Sequence, residues 1–207
     1  VAPSNDPRAL EPTRIDVSGS VVDGFYRDHI AIGPFSATAF AGPTRLVVSE
    51  SECAVAGGTV SLWGRRTRHG EDTSLHGIAR LDDLDVAQIT AAFDPGNPPA
   101  RGLIAGDIRL GGTVGDPSRT FGSATLELTA CDLVEVPLFG ALYDLLHIGT
   151  SRAEPTGRGA ANLRISGRRL DIDKMTYFNR GTHIALTGSV DDMFAGGASP
   201  ISGVGIG

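Results

Sequence analysis

The densest group of side chains able to do chemistry lies in RHGEDTSLH, where His69 and His76 flank Glu71 and Asp72. Imidazoles and carboxylates that converge on one point hold metals or pass protons. The spacing here does not build such a point. None of the five histidines (His29, His69, His76, His147, His183) lies four residues from another, and HEXXH is absent. A solvated hairpin loop is the simpler reading. Asp171 and Asp173 are i, i+2 neighbours on the water side of a strand, with Arg168, Arg169 and Lys174 close by. Nothing in that setting separates their pKa values as acid–base catalysis requires. GRGAAN near Gly157 is neither a dinucleotide fingerprint nor a phosphate loop, and no GxSxG elbow occurs. Cys53 and Cys131 fit no metal-ligand spacing, and a bridge between them is left open. The expectation is a chain with no catalytic residues, no metal site and no cofactor.

Charge narrows the partners. The net charge of −6 and pI near 5.3 disfavour nucleic acid, whose binding relies on basic surface to displace phosphate counterions. The basic stretch GRRTRHG, Gly64 to Gly70, could touch lipid headgroups or a sugar polymer, but a charged hairpin tip is the simpler reading. Trp63, just before it, falls on the polar phase of its strand and offers a small exposed contact.

The elements that would position these groups are strands. The 28 glycines and 12 prolines suit short strands joined by tight turns. Period-2 alternation recurs: Ile15, Val17 and Val21; Val60 and Leu62; Leu75, Ala79 and Leu81; Ile104, Ile108 and Leu110. SATLELTA sets Ala124, Leu126, Leu128 and Ala130 against Ser123, Thr125, Glu127 and Thr129, and ANLRIS follows suit. Ile184, Leu186 and Val190 oppose His183, Thr187, Ser189 and Asp191. Strict alternation gives one apolar and one wet sheet face, the mark of an antiparallel meander rather than a doubly covered parallel sheet.

Two stretches break that rhythm. Leu84–Phe93 places Val86, Ile89 and Phe93 at helical spacing behind Asp82, Asp83 and Asp85. PLFGALYDLLHIG predicts a second helix over 137–148, with Pro137 at its start, Gly149 after its end, and a stripe of Leu138, Leu142, Leu145 and Leu146. No run of 18 apolar residues is present to cross a membrane as a helix.

From about Thr73 to Val190 the order of features resembles the C-terminal region of AsmA-like proteins. LHGIARLDDLDVAQI comes first, then GLIAGDIRLGGTVGDPSRTFGSATLELTACDLVEVP, then PLFGALYDLLHIG, then GAANLRISGRRLDIDKMTYFNRGTHIALTGSVDD. The resemblance implies a mainly β fold, a curled antiparallel sheet forming a groove or half-barrel, with the two short helices packed on it or capping it. It also implies a non-enzymatic envelope protein that contacts phospholipid acyl chains in lipid transport or outer-membrane biogenesis. Such a protein faces the periplasm, is held at the inner membrane by an anchor absent from this chain, and meets other envelope proteins. Residues 1–12 then form an irregular lead-in, 13–72 an N-terminal strand segment of the same sheet, and 73–207 the AsmA-like region. The start at Val1, without Met or a signal-like stretch, suggests a piece of a longer protein. The groove lining is expected from Leu126, Leu128, Leu163, Ile165, Ile184 and Leu186, which are aliphatic and have no charge among them. The alternatives are a structural or adhesive cell-surface β-domain and, further off, a carbohydrate-active β-sandwich, for which one Trp and three Tyr are few.

Overall fold

Two-residue turns set the order of the strands. At Ala56-Gly57 both residues take positive φ (48° and 76°), the backbone whose twist matches that of two flanking antiparallel strands. Similar turns, with Gly70, Gly115 and Gly167 in left-handed backbone, join three further strand pairs. The computed structural model describes residues 12–20, 24–26, 30–93, 101–132, 157–179, 182–192 and 201–206. In chain order these form β1 (Thr13–Gly19), β2 (Gly24–Tyr26), β3 (Ile30–Ala41), β4 (Arg45–Val55), β5 (Gly58–His69), β6 (Asp72–Asp85) and α1 (Val86–Phe93). There follow β7 (Arg101–Thr113), β8 (Asp116–Asp132), β9 (Gly157–Ser166), β10 (Arg169–Asn179), β11 (Thr182–Val190) and β12 (Ile201–Ile206). All belong to one antiparallel 12-stranded sheet in the order β1-β3-β4-β5-β6-β7-β8-β9-β10-β11-β12, with β2 paired only to β3. β1 and β12 stand at opposite ends, so the sheet is not closed into a barrel.

The mainly β, antiparallel expectation holds; the expectation of two helices is not matched. Among the described residues there is one helix, α1, and the stretch expected as a second, 137–148, lies outside them with Leu138, Leu142, Leu145 and Leu146. α1 also starts two residues later than the periodicity predicts. Leu84 and Asp85 are still paired with Ile104 and Leu103, so β6 runs to Asp85. Asp85 is the residue that caps the helix: its Oδ1 accepts the Ala87 N–H at 2.8 Å, while its own N–H donates to the Ala56 carbonyl at 2.8 Å. Ile89 and Ala92 of α1 pack on Ile30, Val55 and Ala56, closing that end of the sheet.

GRRTRHG is not a hairpin tip. Gly64 to His69 are strand residues of β5 paired with β6, and the turn is reduced to Gly70 and Glu71. Ala130 is a second correction. It was expected on the apolar phase with Leu128, but a bulge between Leu128 and Cys131 puts Ala130 in left-handed backbone (φ 49°) and exposes it, and Cys131 is buried instead. The cysteines stand on β4 and β8, four strands apart in the sheet order, and the register sets Cys53 level with Leu126 rather than Cys131, so they are beyond disulfide reach. They are not bridged.

β8, β9 and β10 are locked together where the Tyr177 ring crosses Gly157. The Tyr177 hydroxyl donates to the Cys131 carbonyl at 3.4 Å and accepts from the Asn179 amide at 3.0 Å. A Cβ on Gly157 would overlap both the Cys131 carbonyl and the Tyr177 hydroxyl. Gly157→Ala should therefore cost about 1–3 kcal/mol in urea unfolding, as overpacking does. Gly77→Ala should cost nothing, because a Cβ there meets only the Trp63 carbonyl at 3.5 Å. Equal midpoints for the two variants would contradict this packing.

Candidate functional site

Residues directly opposed across antiparallel strands share a face, so the register sorts every side chain to one side or the other. Leu126 and Leu128 oppose Ala161 and Gly159 on β9 and Gly106 and Ile104 on β7. Leu163 and Ile165 oppose Ile172 and Leu170 on β10. Met175 and Tyr177 in turn oppose Leu186 and Ile184 on β11. All six residues expected to line a groove thus lie on one face. That face runs on in the other direction through Ile108, Ala79 and Leu62, through Leu81, Val60 and Cys53, and through Val48 and Ala39 to Ile15 on β1. One aliphatic surface runs from β1 to β11.

Its cover is uneven. Ile184 and Leu186 are buried, at 3% and 6% exposure, and Leu126, Leu128, Leu163 and Ile165 are half-buried. Across the middle the face is open: Leu62, Leu75 and Leu110 are 46%, 45% and 45% exposed. A closed core does not leave three leucines of one face in water.

Two glycines deepen this open region. Gly64 and Gly77 are paired directly, flanked by Val48 on β4 and Leu110 on β7. The concavity there has a volume of about 500 Å³ and is lined by Leu46, Val48, Leu75, Leu110, Arg66 and Thr120 around the bare glycine backbone. Gly122, on the same face and opposite Leu110, is by contrast a steric requirement. A Cβ on Gly122 would overlap the Arg109 carbonyl and lie 2.7 Å from Leu110 Cδ2. At Gly64 and Gly77 the nearest atom to a Cβ is a carbonyl oxygen 3.5 Å away, in ordinary contact. Neither packing nor backbone demands glycine at these two positions, and their effect is an empty trough. Alternation alone does not reveal this, because glycine carries no phase of its own in a sequence.

The other face carries the charged groups first considered for chemistry, together with exposed Trp63, Ile78, Leu103, Phe121 and Phe178. Arg169 pairs with Asp171 at 2.7 Å, and the carboxylate raises the guanidinium pKa further. Arg164 pairs with Asp173 at 2.7 Å. The two aspartates are therefore separate ion pairs and not an acid–base couple. On edge strand β1, a hydrogen bond from the Thr38 hydroxyl at 2.8 Å outweighs desolvation and, with Arg14, lowers the pKa of the Asp16 carboxyl. His69 opposes Asp72 across the β5–β6 turn, whereas His76 lies along β6 with its ring edge against Phe121, centroids 5.6 Å apart. Among the described residues no three His, Cys, Asp or Glu side chains group so as to hold a metal. Trp63, expected as an exposed contact, is exposed beside Ile78 in a concavity of about 700 Å³ that Arg65, Arg109 and Phe121 also line.

No family model, curated protein or solved structure matches this chain. No helix among the described residues is long and apolar enough to cross a membrane.

Leu186 and Glu127 test the assignment of faces. Leu186→Ala, at a buried position of the aliphatic face, should cost about 2 kcal/mol or more. Glu127→Ala, exposed on the polar face, should stay within about 0.5 kcal/mol of the parent. Small and equal shifts in the unfolding midpoint would show that the faces are wrongly assigned.

Proposed function

We propose that this chain is a non-enzymatic, lipid-contacting segment of an envelope protein, whose aliphatic face receives phospholipid acyl chains. The observation that carries the reading is the open trough at Gly64 and Gly77 on a face that is otherwise continuously aliphatic. An acyl chain offers no hydrogen bond, so an unpaired polar group beside it would be costly, and this face presents almost none. Each methylene removed from water contributes about 0.8 kcal/mol, enough to retain a partly covered chain without a polar clamp. In this reading the sheet curls into a groove or half-barrel like that of the AsmA-like proteins. In the same reading the whole protein is held at the inner membrane, facing the periplasm. Its task there is phospholipid transport or outer-membrane biogenesis, alongside other envelope proteins.

A structural or adhesive β-domain explains the trough less well. Side chains at positions 64 and 77 would strengthen the strands, since glycine in a strand interior lowers stability. A carbohydrate-active enzyme has no described constellation to carry its chemistry, and no residue is assigned a catalytic role.

The test is to fill the trough. Gly64→Leu and Gly77→Leu should leave the circular dichroism spectrum and Tm unchanged or slightly raised. Phospholipid capture from vesicles, measured by native mass spectrometry, should fall about tenfold or more, because the trough that would shield each methylene from water is filled. Undiminished capture by both folded variants, or no capture by the parent, would overturn the reading.

A further inference from the structure

The aliphatic face is not uniform along the strands. At its α1 end it closes over Ile30, Val55 and Ile89. At the opposite end, by the β5–β6 turn, it becomes polar: Arg66 opposes Leu75 and Leu46, and Arg68 opposes Thr73. Among the described residues, Arg66 and Arg68 are the only charged side chains that the register places on this face from β3 to β11. No carboxylate of a described residue shares it with them. Arg68 is tied down, its Nε donating to the Gly70 carbonyl at 3.1 Å. Arg66 is exposed, and among the described residues no hydrogen bond or ion pair engages its guanidinium.

Arg66 stands two residues from Gly64 on β5, about 7 Å along the strand, and lines the same concavity. Its methylene stem can lie on the aliphatic surface and leave the planar head in water at the rim. A guanidinium offers two parallel N–H donors that match a phosphate, and Thr120 adds a hydroxyl in the same lining. A zwitterionic head would bring an ammonium to a face with no carboxylate to receive it. A head with net negative charge meets no such mismatch.

We infer that the trough selects phospholipids with a net anionic headgroup, the phosphate held by Arg66 and the acyl chains lying over Gly64 and Gly77. The inference rests on the acyl-binding reading of the face and adds the class of lipid to it.

The experiment uses the full chain with vesicles of phosphatidylglycerol or of phosphatidylcholine carrying identical acyl chains. Lipid captured per protein is counted by native mass spectrometry. The parent chain should capture phosphatidylglycerol about tenfold better than phosphatidylcholine, the scale of one charge-assisted contact. Arg66→Gln should lose that preference while retaining capture of phosphatidylcholine, and Arg66→Lys should restore part of it. Equal capture of the two lipids by the parent, or a preference undiminished in Arg66→Gln, would overturn headgroup selection and leave the acyl-binding face standing. Capture of neither lipid by the parent would remove both.

Discussion

Direct opposition across antiparallel strands obliges paired residues to share a face, and a slip of one residue on any strand would turn its aliphatic side chains to the wrong side. Everything distinctive about this chain depends on that phase being kept from β1 to β11. Plain alternation is not enough, because several strands are longer than their partners' uninterrupted register. The chain restores phase with bulges, at Leu81/Leu84 between β6 and β7, at Leu128/Cys131 between β8 and β9, and at Ile172/Met175 between β10 and β11. After each, an apolar residue resumes the aliphatic face: Leu84, Cys131 and Met175. The bulged positions take the polar or exposed residues, Asp83 and Ala130 among them.

A face kept apolar across so many strands must meet something apolar. Toward α1 and over Ile184 and Leu186 it is covered, and in the middle it is open. Two glycines of the open middle, Gly64 and Gly77, are required neither by packing nor by backbone conformation. The coincidence of exposed leucines with unforced glycines is what supports the proposed acyl-receiving surface over an imperfect core. β1 shows the opposite treatment: its residues are exposed throughout, and Arg14 and Asp16 pair on its polar face, which blunts a free sheet edge.

Much of this was legible in the sequence, and the reason is the period of two. SATLELTA and ANLRIS announce their phase, and the pairs Leu126 with Ala161 and Ala124 with Leu163 place them together as the alternation implies. The turn residues and the first helix were legible for similarly local reasons. Bulges were not, since one inserted residue leaves Thr129-Ala130 looking like unbroken alternation. GRRTRHG misled because clustered charge suggests a loop, whereas pairing across a two-residue turn keeps those residues in strands and sends Arg65 and Arg66 to opposite faces. The trough was illegible for a different reason: whether a glycine is required depends on which atoms stand over it, and those come from other strands.

Photo-crosslinking from the two faces tests the central claim most directly. A photoreactive residue replaces Leu110 or Leu126 on the aliphatic face, or Arg109 or Thr125 one position earlier on the polar face, and the chain is irradiated with phospholipid vesicles. The account predicts phospholipid adducts from positions 110 and 126 and none from 109 and 125. Adducts of equal yield from both faces, or none from 110 and 126 in a folded chain, would contradict it.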